Sequence, residues 1–420
     1  MNKPLLVFQA PIATRSGYGD HSRDILKSLY DLDRYEIKVV PTRWGNTPQD
    51  QLNPQDEFHR WILQNVITQI DKTIDVFIQV TVANEFRRVG KFNIGITAGV
   101  ETTLAPQEFL QASNQMDLII TPSEFTKDVL QKTSYTQVDK RTQQQTGVVK
   151  LEKPTEVLFE GVDEEIFNGK YDKSNDILES VETDFNFLYV GHWLQGDLGH
   201  DRKDTGMMIK TFCSVFKSLP KKQQPGLILK TSSAGFSVID REVIKEKIDE
   251  ITKEFGDKCP PIHLVWGDLS TSDLNNLYMH PKVKAKVMFT KGEGYGRPLA
   301  EFCTTGKPIL VSNWSGHKDF LPEDSTVYLD GELKEVHQSA QNKFLLKESK
   351  WFYVNYSNAA QKFFDVHKNY KKHLTKSAGL KSNIKNFTLQ KMTDKLGKIL
   401  DKYVKVQKHV ELKLPEIKKL

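Results

Sequence analysis

Two series of short apolar, β-branched runs, separated by helical patterns, divide this chain into halves. The first series is 5–9, 36–40, 75–80, 93–97, 117–121 and 156–159, with helical patterns such as 21–29 and 124–131 between runs. It begins again at 185–191 and continues through 226–231, 262–266, 287–290 and 308–312. Continuous apolar runs suit strands covered on both faces, and helical crossovers make neighbouring strands parallel. A chain of 420 residues exceeds what one core usually supports. The expected architecture is therefore α/β: two doubly wound, Rossmann-like domains facing a central cleft. Residues 1–165 form the first domain and 166–386 the second, with a linker near 161–176 that holds Gly161 and Gly169. Ligands of such sheets sit at the C-terminal ends of the strands.

Residues 286–313, KVMFTKGEGYGRPLAEFCTTGKPILVSN, read as one βα unit with a site attached. A strand at 287–290 enters the loop Gly292-Glu293-Gly294-Tyr295-Gly296, and Pro298 suits the first turn of a helix over 299–305. Gly306 suits its C-cap, and 308–312 is the next strand. A loop without large side chains ahead of a helix N-terminus fits a phosphate. Glu293 and Glu301 would repel phosphate, so their chemistry points to hydroxyl groups. Phosphate and hydroxyls together describe a sugar joined to a nucleotide. The plain alternative is a strand–loop–helix unit with two solvated glutamates.

Glu293 and Glu301 enclose seven residues, GYGRPLA, and the segment resembles the E-x7-E signature of retaining GT-B glycosyltransferases. That group includes glycogen and sucrose synthases and bacterial mannosyltransferases. The continuation CTTGKPILVSNWSGHKDFL resembles the family too. The resemblance implies a nucleotide-sugar domain in the second half, an acceptor domain in the first, and a terminal helix, about 387–405, crossing back onto the first domain. It implies that Glu293 holds sugar hydroxyls and Glu301 the ribose. Gly294, Tyr295, Gly296 and Arg297 complete the donor loop.

Arg202 and Lys203, in GHDRKDTG, are similar to the family's basic pair that neutralises the diphosphate; Lys203 is assigned the larger part. The alternative is a solvated pair, although a helix start disfavours cations. Thr14–Asp20 resembles the loop beneath the sugar diphosphate: Gly17 and Gly19 allow close approach, and Arg15 faces acceptor or phosphate, with a tight turn as the equal alternative. Relatives carry a His near residues 96–102; this chain has none there, and Glu101 is the nearest polar candidate, as base, hydroxyl ligand or exposed acid. DLIITPSEFTKDVL resembles a family strand and helix in which Ser123 caps the helix or faces the acceptor. Lys230 reaches the nucleotide or faces solvent.

Three separated cysteines, Cys213, Cys259 and Cys303, lack metal spacing and read as free thiols in a reducing cytoplasm. No run approaches the roughly 20 apolar residues of a membrane span. Asp31-Leu32-Asp33 imitates a metal motif but falls in a turn-like stretch, so no metal and no cofactor is expected. Lysines in KNYKKHLTKSAGLKSNIKNF and LKLPEIKKL read as solvated faces or as contact with an anionic surface. The polar stretch 133–154 reads as an insertion or mobile loop.

The leading expectation is a metal-independent retaining hexosyltransferase using a UDP- or GDP-linked sugar, with a glycan, lipid-linked or nucleic-acid acceptor. The alternative is a nucleic-acid-directed (DNA-base) glycosyltransferase, or a nucleic-acid-binding protein on the same fold; a net charge of +5 permits but does not establish it. A nicotinamide dehydrogenase is disfavoured because no strand leads into G-x-G-x-x-G.

Overall fold

The computed structural model describes residues 3–70, 72–139, 141–233 and 237–405. Two six-stranded parallel sheets form the framework. The first holds β1 (Leu5–Ala10), β2 (Glu36–Pro41), β3 (Val76–Val80), β4 (Phe92–Ile96), β5 (Leu118–Thr121) and β8 (Thr155–Val157), in the order β2-β1-β3-β4-β5-β8. Between its last two strands runs an antiparallel hairpin, β6 (Ser134–Val138) with β7 (Gln145–Lys150). The second sheet holds β9 (Asn186–Val190), β10 (Gly226–Lys230), β11 (Ile262–Val265), β12 (Val283–Met288), β13 (Ile309–Ser312) and β14 (Val327–Leu329), in the order β11-β10-β9-β12-β13-β14. A second hairpin follows, β15 (Gly331–Glu335) with β16 (Lys350–Val354).

The helices are α1 (Gly17–Leu32), α2 (Glu57–Gln64), α3 (Gln107–Ser113), α4 (Glu124–Lys132), α5 (Thr205–Phe216), α6 (Val238–Thr252), α7 (Thr271–Met279), α8 (Arg297–Cys303), α9 (Tyr356–Lys368), α10 (Tyr370–Asn383) and α11 (Leu389–Tyr403). Every run that the sequence pattern marks meets a strand, because a run that is apolar on both faces finds cover inside such a sheet, although β12 starts at Val283, ahead of the 287–290 run, and ends at Met288. β14, only three residues long, escapes that pattern. Of the two readings of 133–154, an insertion or a mobile loop, the structure favours the insertion: the β6–β7 hairpin, fastened where the Tyr135 hydroxyl donates to Ala105 O at 2.6 Å.

α11 crosses back onto the first domain as expected. It packs against α1, with Thr393 Oγ1 donating to Ser28 Oγ at 2.8 Å and Arg34 Nη1 2.7 Å from Asp401 Oδ1. The chain arrives there beside Gly161, where an added Cβ would lie 2.6 Å from the Leu389 Cα, so only glycine fits. Lys371, Lys372, Lys376, Lys381 and Lys385 are exposed around α10, whose buried side carries Ser377 and Leu380. The tail 412–420 lies outside the described residues. Among the described residues, no helix is long and apolar enough to cross a membrane.

Candidate functional site

The strand ends of the two sheets meet between the segment after β4 and the glycine loop after β12. A Cβ on Gly292 would fall 2.0 Å from Glu101 O, and one on Gly294 would fall 2.3 Å from Ala98 O. These glycines therefore admit the backbone of the opposite domain, a demand the sequence reading ascribed to a ligand. Ser123, the N-cap of α4, donates from Oγ to Gly294 O at 2.6 Å and so joins the first domain to the loop. Gly296 caps α8 at φ 102°, a left-handed value that favours glycine, and Pro298 falls in the first turn. Tyr295 is buried in the core with its ring centroid 4.8 Å from that of Phe320.

Four charges converge at this junction. Arg202 donates from Nη1 to Gly292 O at 2.7 Å, lies 3.3 Å from Glu293 Oε2, and sets its Nε 3.0 Å from Glu101 Oε2. Lys203 Nζ donates to Glu293 Oε1. Burial pushes the Glu293 carboxyl up, but Lys203 and Arg202 overcome it and hold the group at about 2. Burial lowers the Lys203 ammonium, opposed by Glu293. Burial raises Glu101, opposed by Arg202. One more layer in, Lys291 Nζ lies 2.9 Å from Asp204 Oδ2, both side chains fully enclosed, and the Tyr356 hydroxyl donates to the same oxygen at 2.9 Å. That layer fixes the 202–204 backbone, which enters α5 through Asp204 in a left-handed conformation, φ 52°.

A second network surrounds Glu301. Its Oε1 accepts from Arg297 Nε at 3.0 Å and its Oε2 from the Tyr278 hydroxyl at 3.2 Å. Burial raises the carboxyl to about 6 against the pull of Arg297 and Lys286. Lys286, enclosed in β12, donates to Pro298 O at 2.6 Å and sits 4.4 Å from the Tyr278 ring centroid; burial lowers its ammonium to about 7. Sequence reading missed Lys286, although a lysine inside an apolar strand run is a legible signal. Arg297 continues to Asp24 in α1, across the domain boundary.

The remaining candidates are held by contacts of their own. Gly19 is in the first turn of α1, where a Cβ would meet Thr14 O at 2.3 Å, whereas Gly17 faces open space. Arg15 joins the domains, with Nη1 2.5 Å from Asp268 Oδ2 and Nε 2.9 Å from Asp50 Oδ1. Lys230 donates to Gly267 O at 2.7 Å. The structure thus gathers Glu101, Arg202, Lys203 and Glu293 into one cluster, and Arg297 with Glu301 into another. Asp31 and Asp33 pair with Lys27 and Lys3 at the end of α1. Among the described residues, no group of three or more His, Cys, Asp or Glu is arranged to hold a metal. A cavity of about 570 Å³ lies beside the β15–β16 hairpin, lined by His200, His337, Tyr353 and Tyr356 among others, and no residue of the glycine loop borders it.

No family model matches the chain, and no curated protein matches it in sequence. In structure it is similar to a glycosyltransferase from Rickettsia africae (TM-score 0.63, 13% identity, 97% of this chain and 100% of that one covered). It is also similar to sucrose-phosphate synthase from Thermosynechococcus elongatus (0.60, 12%, 96% and 99%). A third likeness is to Anabaena HepE in complex with UDP and glucose (0.59, 11%, 95% and 100%). At such identities the likeness establishes the fold, GT-B: two doubly wound domains, matched over nearly the whole length.

Proposed function

We propose that the chain is a nucleotide-sugar-dependent glycosyltransferase, retaining and metal-independent, that transfers a sugar from a UDP- or GDP-linked donor to a hydroxyl acceptor. One observation carries the reading: the cluster of buried Lys203 and Glu293 with half-buried Arg202 and Glu101, drawn from both domains where their strand ends meet. The donor diphosphate lies against Arg202 and Lys203, whose charge stabilises the negative charge that grows on the leaving phosphate. The bond from the sugar's anomeric carbon to the phosphate oxygen breaks, and a bond to the acceptor oxygen forms on the same face. The acceptor's proton passes to the departing phosphate, so no protein nucleophile is needed. Glu293 holds sugar hydroxyls, Glu301 holds the ribose, and Glu101 orients the acceptor. The UDP and glucose bound to HepE, on the same fold, support a nucleotide-sugar donor. Arg202 and Lys203 take the part of a metal once they exchange Glu101 and Glu293 for phosphate oxygens. Exposed lysines of α10 remain available to an anionic surface or a nucleic-acid acceptor.

The test is a thermal-shift panel of UDP-, GDP- and ADP-sugars on the full chain, followed by turnover of the best donor in excess EDTA. Expected are a donor-specific rise in melting temperature, turnover that survives EDTA, and strongly reduced turnover in Lys203→Ala. Absence of any shift across the panel removes the glycosyltransferase reading. Activity lost in EDTA and restored by manganese removes only the metal-free part.

A further inference from the structure

The three cysteines are far apart in sequence, yet two of them meet. Cys213 Sγ and Cys259 Sγ are 3.8 Å apart. Cys213 is fully enclosed on the inner face of α5, while Cys259 is half-buried in the turn ahead of β11. Cys303, on α8, is buried and unconnected to either. A disulfide needs its sulfurs about 2.05 Å apart, so closure asks for a rotamer change and a small shift. The turn carrying Cys259 is the side able to give, since it follows short 3-10 turns, Lys253–Lys258, broken by a kink at Gly256 with φ 49°.

We propose that Cys213 and Cys259 form a modification site, a thiol pair that closes reversibly to a disulfide when it meets a small-molecule disulfide. Cys259 attacks first because it is the accessible sulfur. The Cys213 hydrogen bond, and then the Lys221 charge, hold its thiol below the usual range despite partial burial. Lys221 is fixed there, donating from Nζ to Cys259 O at 3.2 Å. The Cys259 thiolate displaces one thiolate from the small disulfide and forms a mixed disulfide. Cys213 then gives up its proton and attacks Cys259 Sγ, expelling the second small thiol. Two protein thiols are oxidised and one external disulfide is reduced to two thiols, so the exchange balances.

The bond would tie α5, which starts directly after Arg202 and Lys203, to the strand leading toward Gly267 and Asp268. A cross-link restricts the unfolded chain, so the oxidised protein gains resistance to heat.

The full chain is incubated with oxidised glutathione and followed by intact mass, denatured thiol titration and peptide mapping. The expected result is loss of two hydrogens, one titratable thiol on Cys303, and a linked peptide pair holding residues 213 and 259. Dithiothreitol should reverse all three changes, and the melting temperature of the oxidised form should rise by a few degrees. Cys213→Ser should stop at one glutathione on Cys259, and Cys259→Ser should take up none. A wild-type chain that keeps three free thiols, or that halts as a glutathione adduct, overturns the proposal.

Discussion

Arg297 Nη1, in the second domain, lies 2.5 Å from Asp24 Oδ2, in the first, and each side chain is only 16% exposed. The same guanidinium holds Glu301 through Nε at 3.0 Å. One side chain therefore joins the helix of the donor loop to the first helix of the chain. Removing one partner of a buried pair leaves an uncompensated charge and typically costs about 3–5 kcal/mol. Arg297→Ala should destabilise the closed arrangement and enlarge the radius of gyration in small-angle scattering. Asp24→Asn should do so less, because Arg297 keeps Glu301. A scattering profile identical to wild type in both variants would show that other contacts hold the cleft shut.

Glu160 sits beside this link, 8% exposed, at the start of the linker. Burial raises its carboxyl from 4.5 to about 8; Arg297 opposes this, and Asp24 and Asp20 reinforce it. A raised carboxyl gives stability that is complete below the unfolded value, near pH 4.5, and lost as pH climbs through about 8. Within that window each pH unit costs the wild type up to about 1.4 kcal/mol. Glu160→Gln imitates the protonated acid and escapes the cost. Urea midpoints of variant and wild type should coincide near pH 4.5 and diverge in favour of the variant toward pH 8. Parallel pH profiles would show that Glu160 ionises as an ordinary acid.

Sequence pattern reveals burial, and that is what it could and could not say here. The runs at 5–9 and 187–190 are apolar on both faces, so they had to become inner strands. In the β15–β16 hairpin, β15 left no such trace, because GELKE is exposed throughout and is held by backbone bonds to the largely buried β16, KWFYV. Thr103 and Lys350 illustrate the same limit. Their paired backbone and hydroxyl bonds of 2.8 and 2.9 Å tie that hairpin to the first domain across 247 residues. Arg202 and Lys203 stood out as one local motif ahead of α5 and Glu293 as another after β12, but their meeting across 90 residues left no periodic trace. Arg297–Asp24 and Cys213–Cys259 left none either, since separations of 273 and 46 residues carry no periodic signal.

Glu301 and Glu293 should separate in binding experiments. If Glu301 accepts ribose hydroxyls, Glu301→Gln weakens both the free nucleotide and the sugar nucleotide, by about 1.5–3 kcal/mol. Glu293→Gln should weaken mainly the intact sugar nucleotide. The ionised form of Glu301 accepts on both oxygens and binds hydroxyls more strongly than the acid does, and its carboxyl is raised to about 6. Nucleotide affinity should therefore improve as pH rises from 5 to 7 in the wild type and stay flat in Glu301→Gln. Isothermal titration at the two pH values decides this, and equal slopes would move the ribose elsewhere.

Arg202 is shared, with Glu101 of the first domain on Nε at 3.0 Å and Glu293 on Nη1 at 3.3 Å. A donor diphosphate seeking Arg202 competes with Glu101 for the same guanidinium. Glu101→Gln removes the competing charge while keeping a hydrogen-bond acceptor, so free nucleoside diphosphate should bind several-fold more tightly. Turnover should nevertheless fall, because Glu101 is a first-domain carboxylate paired with Arg202 at the junction and orients the acceptor in the proposed reaction. The two readouts moving in opposite directions distinguish this from a loss of folding, which would lower both. If nucleotide affinity and turnover both stay at wild-type values, Glu101 is a bystander and the acceptor is held by other groups.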